Sequence, residues 1–282
     1  MKINWFPGHM TKALRMMQEE IKNCDAVIYV LDSRAPCSSL NPSFIKIIGE
    51  KPVLYVLNKC DLVDEYALKD WQKHFAEGEK RDCIIMNATA SGARNLVSNR
   101  LTKLLQGKID FYKNKGANIT LRVMIIGVPN SGKSTLANNL CGKGKAETGN
   151  RPGVTKSKQW VKISPYIELL DTPGSLWPNL EDEEVALHLA FIGSIKDEVL
   201  DRNELAVELI KTILHKNFDI VSSRYGVNCN ADSDALEVVE NIAIKKAFKL
   251  KGGDVDYDRV CVMILEDYKK GKLGKIVLDE LK

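Results

Sequence analysis

The order of apolar and polar positions divides the chain into two parts that differ in periodicity. Up to about residue 175, short apolar runs alternate with amphipathic stretches. Five of the runs have the length and composition of buried strands, namely 26–32, 53–58, 83–86, 122–127 and 166–171. Helical spacing occurs between them at 65–76, 94–106 and 133–141. This alternation predicts an α/β fold with a mostly parallel sheet covered on both faces.

After about residue 180 the strand pattern largely disappears. Apolar residues at helical spacing predict helices within 181–195, 203–216, 233–250 and 256–274. Acidic residues begin the first and third of these segments, and lysines crowd the end of the last, as the helix dipole favours. We therefore predict two domains, an α/β domain over 1–178 and a small all-helical domain over 179–282.

The charge balance changes at the same place. Residues 1–179 contain 26 Lys and Arg against 16 Asp and Glu, a net charge of +10, whereas residues 180–282 contain 15 against 21, a net charge of −6. With 44% hydrophobic and 28% charged residues the composition is globular. The chain has no apolar run of membrane-spanning length and no secretory signal pattern at its start, so we expect a cytoplasmic protein without a membrane partner.

A phosphate-binding pattern lies at residues 127–134, GVPNSGKS, which has the spacing GxxxxGKS. It follows an apolar run and opens a helical pattern, so backbone N–H groups of the loop and of the helix start are expected to face phosphates. Lys133 is expected to reach the β- and γ-phosphates, and the hydroxyl of Ser134 is expected to bind Mg²⁺. The other predicted nucleotide-binding residues of this loop are Asn130, Ser131, Gly132 and Thr135.

A second phosphate-side pattern is DTPG, residues 171–174, which directly follows an apolar run. Asp171 is placed to hold Mg²⁺ through water, and Gly174 can offer its N–H group to a γ-phosphate. The segment TGNRPGVTKS lies between the two patterns. Within it, Thr155 is the predicted second hydroxyl on the Mg²⁺ side, with Thr148 as the alternative.

A base-reading pattern, NKCD, ends the apolar run at 53–58 and contains Asn58, Lys59 and Asp61. In the NKxD pattern the aspartate accepts two N–H groups from the edge of guanine, and adenine cannot supply both, so GTP is favoured over ATP. The next apolar run leads to a supporting loop in which we assign Ala88 and Thr89. The register Thr89 and Ala90 is the alternative.

The motif order differs from the usual one, because the base-reading pattern precedes the phosphate patterns and DTPG comes last. Strands can keep their places in a sheet while the chain ends move, since termini usually lie at the surface. The order therefore predicts a circularly permuted P-loop GTPase domain, in which the segment after Gly174 continues directly into the helical domain.

These motifs resemble the circularly permuted ribosome-assembly GTPases of the RbgA/YlqF type over essentially the whole chain. Further matching segments are WFPGHM (5–10), DSRAP (32–36), QWVK (159–162), LLDTPGSLWP (169–178) and the terminal GGDVDYDR…GKLGK. The resemblance implies hydrolysis of GTP to GDP and phosphate, with Mg²⁺, in late maturation of the bacterial large (50S) ribosomal subunit. It implies binding to the subunit and its rRNA in the GTP state, release after hydrolysis, a monomer away from the ribosome, and no DNA partner.

The resemblance also implies roles for two further residues. His9 would orient the attacking water, and Asn130 would hold a K⁺ ion beside the phosphates. Without the resemblance, the sequence favours a cap of the first helix as the role of His9, and Asn130 fits a polar turn residue. Ser175 stands where many GTPases carry a water-orienting glutamine, and its role is left open.

Two other classes of function compete with an assembly factor. A P-loop GTPase acting on another RNA, or in RNA modification, is the alternative, but a modifying enzyme needs a second catalytic constellation that the sequence does not suggest. A binding module with a relict site is disfavoured by the intact Lys133, Ser134 and Asp171. Because the helical domain is acidic overall, we expect its basic stretch, residues 245–275 with Lys269, Lys270 and Lys272, to contact RNA together with the basic GTPase body.

Overall fold

The computed structural model describes residues 8–117, 119–142, 160–177, 180–196 and 200–281, except for the side chain of His9. The strands in chain order are β1 (Ala26–Asp32), β2 (Val53–Asn58), β3 (Arg81–Ile85), β4 (Leu121–Ile126), β5 (Trp160–Ser164) and β6 (Ile167–Asp171). They form one six-stranded sheet with the order β3-β2-β1-β4-β6-β5. Neighbouring strands are parallel, except that β5 is antiparallel to β6.

Ten α-helices lie in the described part of the chain. They are α1 (Gly8–Glu20), α2 (Pro42–Ile48), α3 (Glu65–Ala76), α4 (Ala93–Leu104), α5 (Gln106–Asn114), α6 (Lys133–Cys141), α7 (Glu183–Phe191), α8 (Arg202–Tyr225), α9 (Ala235–Lys245) and α10 (Tyr257–Lys269). None of the described helices is both long and apolar enough to cross a bilayer.

Helices cover both faces of the sheet because its central strands are apolar on both faces. Every residue of β1 and β2 is buried. On one face Ile28 packs in a core with Val97 of α4 and Leu136 of α6. On the other face Tyr29 packs in a core with side chains of α1, α2 and α3, among them Phe44. The predicted α/β class is confirmed.

The helices α7–α10 surround a third apolar core, which includes Leu189, Leu209, Val239 and Ile264. Four buried residues from the first part of the chain belong to this core as well: Met10, Ala35, Val128 and Leu176. Three of these four follow the carboxyl ends of β1, β4 and β6. The predicted helical second part therefore packs directly against the carboxyl edge of the sheet.

After α10 the chain returns to the loop that follows β1. The N–H group of Leu278 donates to the carbonyl oxygen of Arg34 at 2.7 Å. The hydroxyl of Ser38 donates to Asp279 at 2.6 Å, and the same carboxylate lies 2.8 Å from His188 Nδ1. This buried polar cluster joins the loop after β1, helix α7 and the last residues of the chain.

Several predicted boundaries differ from the structure. The strand predicted at 83–86 begins earlier, at Arg81, and the helix predicted at 94–106 is α4, which ends at Leu104 before a separate α5. The helix predicted at 203–216 continues to Tyr225 across non-helical backbone at Asn217. The helix predicted at 233–250 ends at Lys245, and left-handed backbone at Ala247 (φ +53°) follows.

Strand β5 was not predicted because its residues lack a continuous apolar pattern. It is an edge strand, and only Ile163 among its five residues is fully buried. Its antiparallel pairing with β6 also breaks the expected repeat of parallel strands, although it leaves the sheet mostly parallel.

Candidate nucleotide site

The sheet has a topological switch point between β1 and β4. From β1 the chain continues to β2 and β3 on one side, and from β4 it continues to β5 and β6 on the other. In open α/β sheets the crevice at the carboxyl ends of the strands beside such a point is the usual ligand site. The GVPNSGKS loop follows β4, DTPG begins at the end of β6, NKCD begins at the end of β2, and the supporting loop follows β3. The fold thus brings all four motifs to one edge.

The phosphate-binding loop packs so closely that two of its glycines leave no room for a side chain. A Cβ atom on Gly127 would lie 2.5 Å from the carbonyl oxygen of Val30, and one on Gly132 would lie 2.1 Å from Nδ2 of Asn58. Gly132 has φ +90° and precedes α6 without any side-chain cap. Among the described residues no side chain caps the first N–H groups of α6, so these groups are available for an anion.

Lys133 and Asp171, predicted for the phosphate and metal side, lie together. Lys133 Nζ contacts Asp171 Oδ1 at 2.9 Å, and the lysine side chain is only 6% exposed. Ser134 and Thr135 are exposed in the first turn of α6. A Cβ atom on Gly174 would lie 3.1 Å from the backbone of Pro129, so DTPG and the phosphate loop are in close contact.

Asn58 joins the phosphate loop to the supporting loop. Its Nδ2 donates to the carbonyl oxygen of Ser131 at 2.7 Å, and its Oδ1 accepts from the N–H group of Ala88 at 2.8 Å. Asn139 of α6 strengthens this connection by donating to the carbonyl oxygens of Ala88 and Ala90 at 2.8 and 3.0 Å. The two loops are therefore fixed relative to one another.

Lys59 and Asp61 occupy an irregular turn in which Lys59 has left-handed backbone (φ +59°). Lys59 Nζ donates to the carbonyl oxygen of Asn130 at 2.6 Å. Asp61 Oδ1 accepts from Nδ2 of Asn87 at 2.6 Å, and Asn87 Oδ1 in turn accepts from the backbone and hydroxyl of Thr89. Asn87 was missed by the sequence analysis, and its position between Asp61 and Thr89 has no signal in the local pattern.

A buried carboxylate at the switch point was also missed. Asp32 ends β1, is fully buried, and pairs in register with Asn58 at the end of β2. Its oxygens accept from Arg34 Nε and Nη2 at 2.9 and 2.8 Å and from Lys59 Nζ at 2.8 Å. Burial raises the pKa of the Asp32 carboxyl, but Lys59 and Arg34 lower it more strongly, to about 2. The carboxyl is therefore ionised at neutral pH.

The phosphate loop is also held from the side of the C-terminal helices. Asn130 Nδ2 donates to the carbonyl oxygen of Gly193 at 2.6 Å, and Ser194 Oγ donates to the carbonyl oxygen of Pro129 at 2.7 Å. Gly193 and Ser194 follow α7. No sequence pattern near these residues signals the contact, because it connects segments more than 60 positions apart.

The remaining predicted residues are less fully described. His9 lies in the first turn of α1, but its side chain is outside the described residues, as are all of Thr148 and Thr155. Ser175 is fully buried, and its hydroxyl donates to the carbonyl oxygen of Leu176 at 2.9 Å. Within the described ranges no group of three or more His, Cys, Asp or Glu residues is arranged to hold a metal ion.

Comparisons with known proteins agree on one family. A family model described as 50S ribosome-binding GTPase matches residues 122–229. Ribosome biogenesis GTPase A of Bacillus cereus is 40% identical, covering 99% of this chain and 94% of that protein. Mitochondrial ribosome-associated GTPase 1 of Bos taurus is 34% identical, covering 98% and 88%.

The fold is likewise similar to a solved structure. The crystal structure of GNP-bound YlqF from T. maritima superposes with a TM-score of 0.65 at 26% identity, covering 95% of this chain and 98% of that one. Full-length identity of this level, together with the shared fold, leads to one conclusion: the chain is a GTPase and belongs to the ribosome biogenesis GTPase A family.

Proposed function

We propose that the protein hydrolyses GTP as an assembly factor in late maturation of the large (50S) ribosomal subunit. It binds the subunit in the GTP state and leaves after hydrolysis. The observation that supports this proposal most strongly is the meeting of all four nucleotide motifs at the edge against which α7–α10 pack. A change at the nucleotide can therefore reach the helices directly.

In the proposed nucleotide site Asp61 reads the guanine edge, while Asn58 and Lys59 hold the surrounding loops. Ala88 and Thr89 support the base, and the Ala88 N–H group is already fixed by Asn58. The phosphates lie against the uncapped start of α6. The residues proposed to contact them are Asn130, Ser131, Gly132, Lys133, Ser134, Thr135 and Gly174.

We assign Mg²⁺ to Ser134 and Asp171, with Asp171 acting through water. The available ligands fit this ion, because Mg²⁺ bound with a nucleotide takes one or two protein ligands and completes its shell with water and phosphate oxygens. The Asp171 side chain is one-third exposed and already faces Lys133. When bound there, the ion would neutralise charge on the phosphates. Thr155 is the proposed second hydroxyl and lies outside the described residues.

We propose that His9 orients the attacking water. Its neighbour Met10 packs in one core with Val128 of the phosphate loop and Leu176, which follows DTPG. This shared core supports a start of α1 near the phosphate end of the site. Ser175 is a poor substitute for the missing glutamine, since its buried hydroxyl is bonded to the adjacent backbone.

Asn130 is the proposed residue for K⁺, which would act beside the phosphates as a fixed positive charge. Its backbone is left-handed (φ +59°), and because its Nδ2 donates to the carbonyl oxygen of Gly193, the amide oxygen is the group proposed to take the ion. We expect faster GTP turnover in KCl than in NaCl at equal ionic strength. Equal rates in the two salts would exclude a functional K⁺ site.

We further propose that the GTPase domain, residues 1–178, is circularly permuted and is followed by a helical domain over 179–282. Read from β4 through β6 and then from β1 to β3, the motifs follow the usual GTPase order of phosphate loop, DTPG, NKCD and supporting loop. The four C-terminal helices surround an apolar core to which the first part of the chain contributes only four of the described buried residues, and this supports the second domain.

The ribosomal RNA is the proposed partner of the helical domain, in the cytoplasm, with the protein a monomer away from the ribosome. Lys270 and Lys272 each lie near an acidic residue, Glu266 at 2.8 Å and Asp267 at 3.6 Å. Neighbouring carboxylates therefore offset part of the positive charge of the predicted basic stretch. Its exposed lysines between the last turn of α9 and the start of α10 are Lys245, Lys246, Lys249 and Lys251.

Sedimentation with ribosomal subunits tests the proposal. We expect the protein to pellet with large subunits in the presence of a non-hydrolysable GTP analogue and to remain largely unbound with GDP. The Lys133→Ala variant serves as the control, because it should not respond to either nucleotide. Equal pelleting in all nucleotide states would contradict a GTP-dependent assembly factor, and binding only to other RNA would favour the alternative function.

A further inference from the structure

The charged side chains at the switch point form a series of contacts that extends beyond the nucleotide motifs. Asp32 accepts from Arg34 and Lys59, and Lys59 also donates to the carbonyl oxygen of Asn130 in the phosphate loop. Removing a carboxylate from water is costly unless its oxygens are satisfied. Here both oxygens are satisfied, and the bidentate geometry fixes the direction of the Arg34 guanidinium.

Within this series of contacts, Arg34 is the residue that touches the C-terminal helices. Its guanidinium carbon lies 5.5 Å from the centre of the Tyr268 ring in α10, and Nη1 donates to the carbonyl oxygen of Lys269 at 3.4 Å. Its own carbonyl oxygen accepts from Leu278. Arg34 is only 2% exposed. It is therefore enclosed between the nucleotide edge and the helices.

The contacts with α10 restrict the position of Arg34, and through it the positions of Asp32 and Lys59. A guanidinium stacked on a buried ring has little freedom to rotate, so α10 determines where Arg34 can hold Asp32. Asp32 in turn determines where Lys59 Nζ lies, and Lys59 reaches Asn130. The contacts of Arg34 and Lys59 with the buried Asp32 carboxylate are charge-assisted and are screened little by water. The last contact, from Lys59 to the carbonyl oxygen of Asn130, is exposed but short, at 2.6 Å.

We propose that Arg34 is a positioning residue for nucleotide binding, which connects the C-terminal helices to the phosphate loop through Asp32 and Lys59. The proposal rests on the nucleotide site described above. It implies that a partner that shifts α10 changes nucleotide affinity, and that nucleotide changes the affinity for that partner by the same factor.

The test is a double-mutant cycle on guanine-nucleotide affinity. Arg34→Lys keeps the charge but removes the bidentate contact and the stacking on Tyr268, whereas Lys59→Met removes the group through which Arg34 is proposed to act. We expect Arg34→Lys alone to weaken GDP and GTP binding about tenfold. In the Lys59→Met background the same substitution should have no further effect, because the connection is already broken.

A matched control is available in the C-terminal helices. Arg224 donates Nε and Nη2 to Asp267 at 3.0 and 2.7 Å and lies over the ring of Tyr225, 5.9 Å from its centre. Arg224→Lys therefore weakens an arginine–aspartate contact of α10 that does not involve Arg34. It should lower the unfolding midpoint without changing nucleotide affinity.

The outcomes separate the inference from the proposed function. If the unmodified protein fails to bind guanine nucleotides, the proposed site is wrong. If it binds them and Arg34→Lys binds equally well, or if the losses from Arg34→Lys and Lys59→Met simply multiply, the positioning role is wrong.

A second pair of variants serves if Arg34→Lys does not fold. Tyr268→Leu removes the ring beneath the guanidinium, whereas Tyr268→Phe keeps it and removes only a hydroxyl that has no hydrogen-bond partner among the described residues. The role is supported if Tyr268→Leu binds nucleotide more weakly than Tyr268→Phe and if this difference disappears in the Lys59→Met background. Equal binding by the two Tyr268 variants would overturn it.

Discussion

The helix at the phosphate loop and the four helices of the C-terminal region begin in opposite ways. Helix α6 begins after Gly132 with no side-chain cap. Each of α7–α10 begins with an aspartate whose carboxylate accepts from the first backbone N–H groups, namely Asp182, Asp201, Asp234 and Asp256. At a capped start some of the first backbone N–H groups already have an acceptor, whereas at an uncapped start these donors and the positive end of the helix dipole can bind a ligand.

The same contrast extends to the polar contacts. At the nucleotide edge, buried or half-buried polar groups such as Asn58, Lys59 and Lys133 join loops that would otherwise move independently. The C-terminal helices are held mainly by an apolar core. Substitutions at the edge should therefore change nucleotide binding more than stability, and cap substitutions should do the reverse.

The largest expected effect concerns base selectivity at the edge. Asp61→Asn replaces an acceptor-only carboxylate with an amide, so we expect the preference for GTP over ATP to fall about 1,000-fold. Xanthosine triphosphate carries a carbonyl oxygen where guanine carries an amino group, so its binding should improve. Competition binding with the three nucleotides measures this, and unchanged selectivity would remove Asp61 as the base reader.

Turnover should depend on His9 more than binding does. His9→Ala is expected to lower kcat about 100-fold. This is the smaller end of the rate effects usual for loss of a group that assists proton transfer or orients water. The dissociation constants for GTP and GDP should not change. Single-turnover hydrolysis with saturating enzyme provides the measurement, and unchanged kcat would contradict a catalytic role for His9.

The start of α6 can be tested by filling the space at Gly132. Gly132→Ala would displace the buried Asn58 side chain and break its two hydrogen bonds, so we expect nucleotide affinity to fall about 30-fold. The control is Gly226→Ala, which also has positive φ (+71°) but only an ordinary contact, 3.5 Å to Lys245. If both variants bind nucleotide equally well, the close packing at Gly132 has no role in binding.

The smallest effect should come from a capped helix. Asp234 accepts from the N–H group of Glu237 at 2.9 Å at the start of α9. Asp234→Ala should lower the free energy of unfolding by about 1 kcal/mol. Asp234→Asn should keep most of the stability that the cap provides, because asparagine is a similarly good N-cap. Denaturant titration measures the loss. Weaker nucleotide binding by the alanine variant would contradict the division between the two regions.

The sheet and the position of its motifs were predictable because they depend on local pattern. Buried parallel strands are continuous apolar runs, and ligand loops follow their carboxyl ends. Strand β5 lacked that pattern because an edge strand needs little apolar burial. The contacts of Asp32 with Lys59 and of Asn130 with Gly193 join distant segments, and a single sequence carries no record of such pairings.

The return of the chain from α10 to the loop after β1 has a consequence for folding. Ser38 contacts Asp279 across 241 positions, and Arg34 contacts Leu278 over a similar separation. Contacts between such distant positions form slowly, since a long loop must close first. The loop that carries Arg34 beside the nucleotide edge should therefore reach its final position late in folding, after the sheet itself has formed.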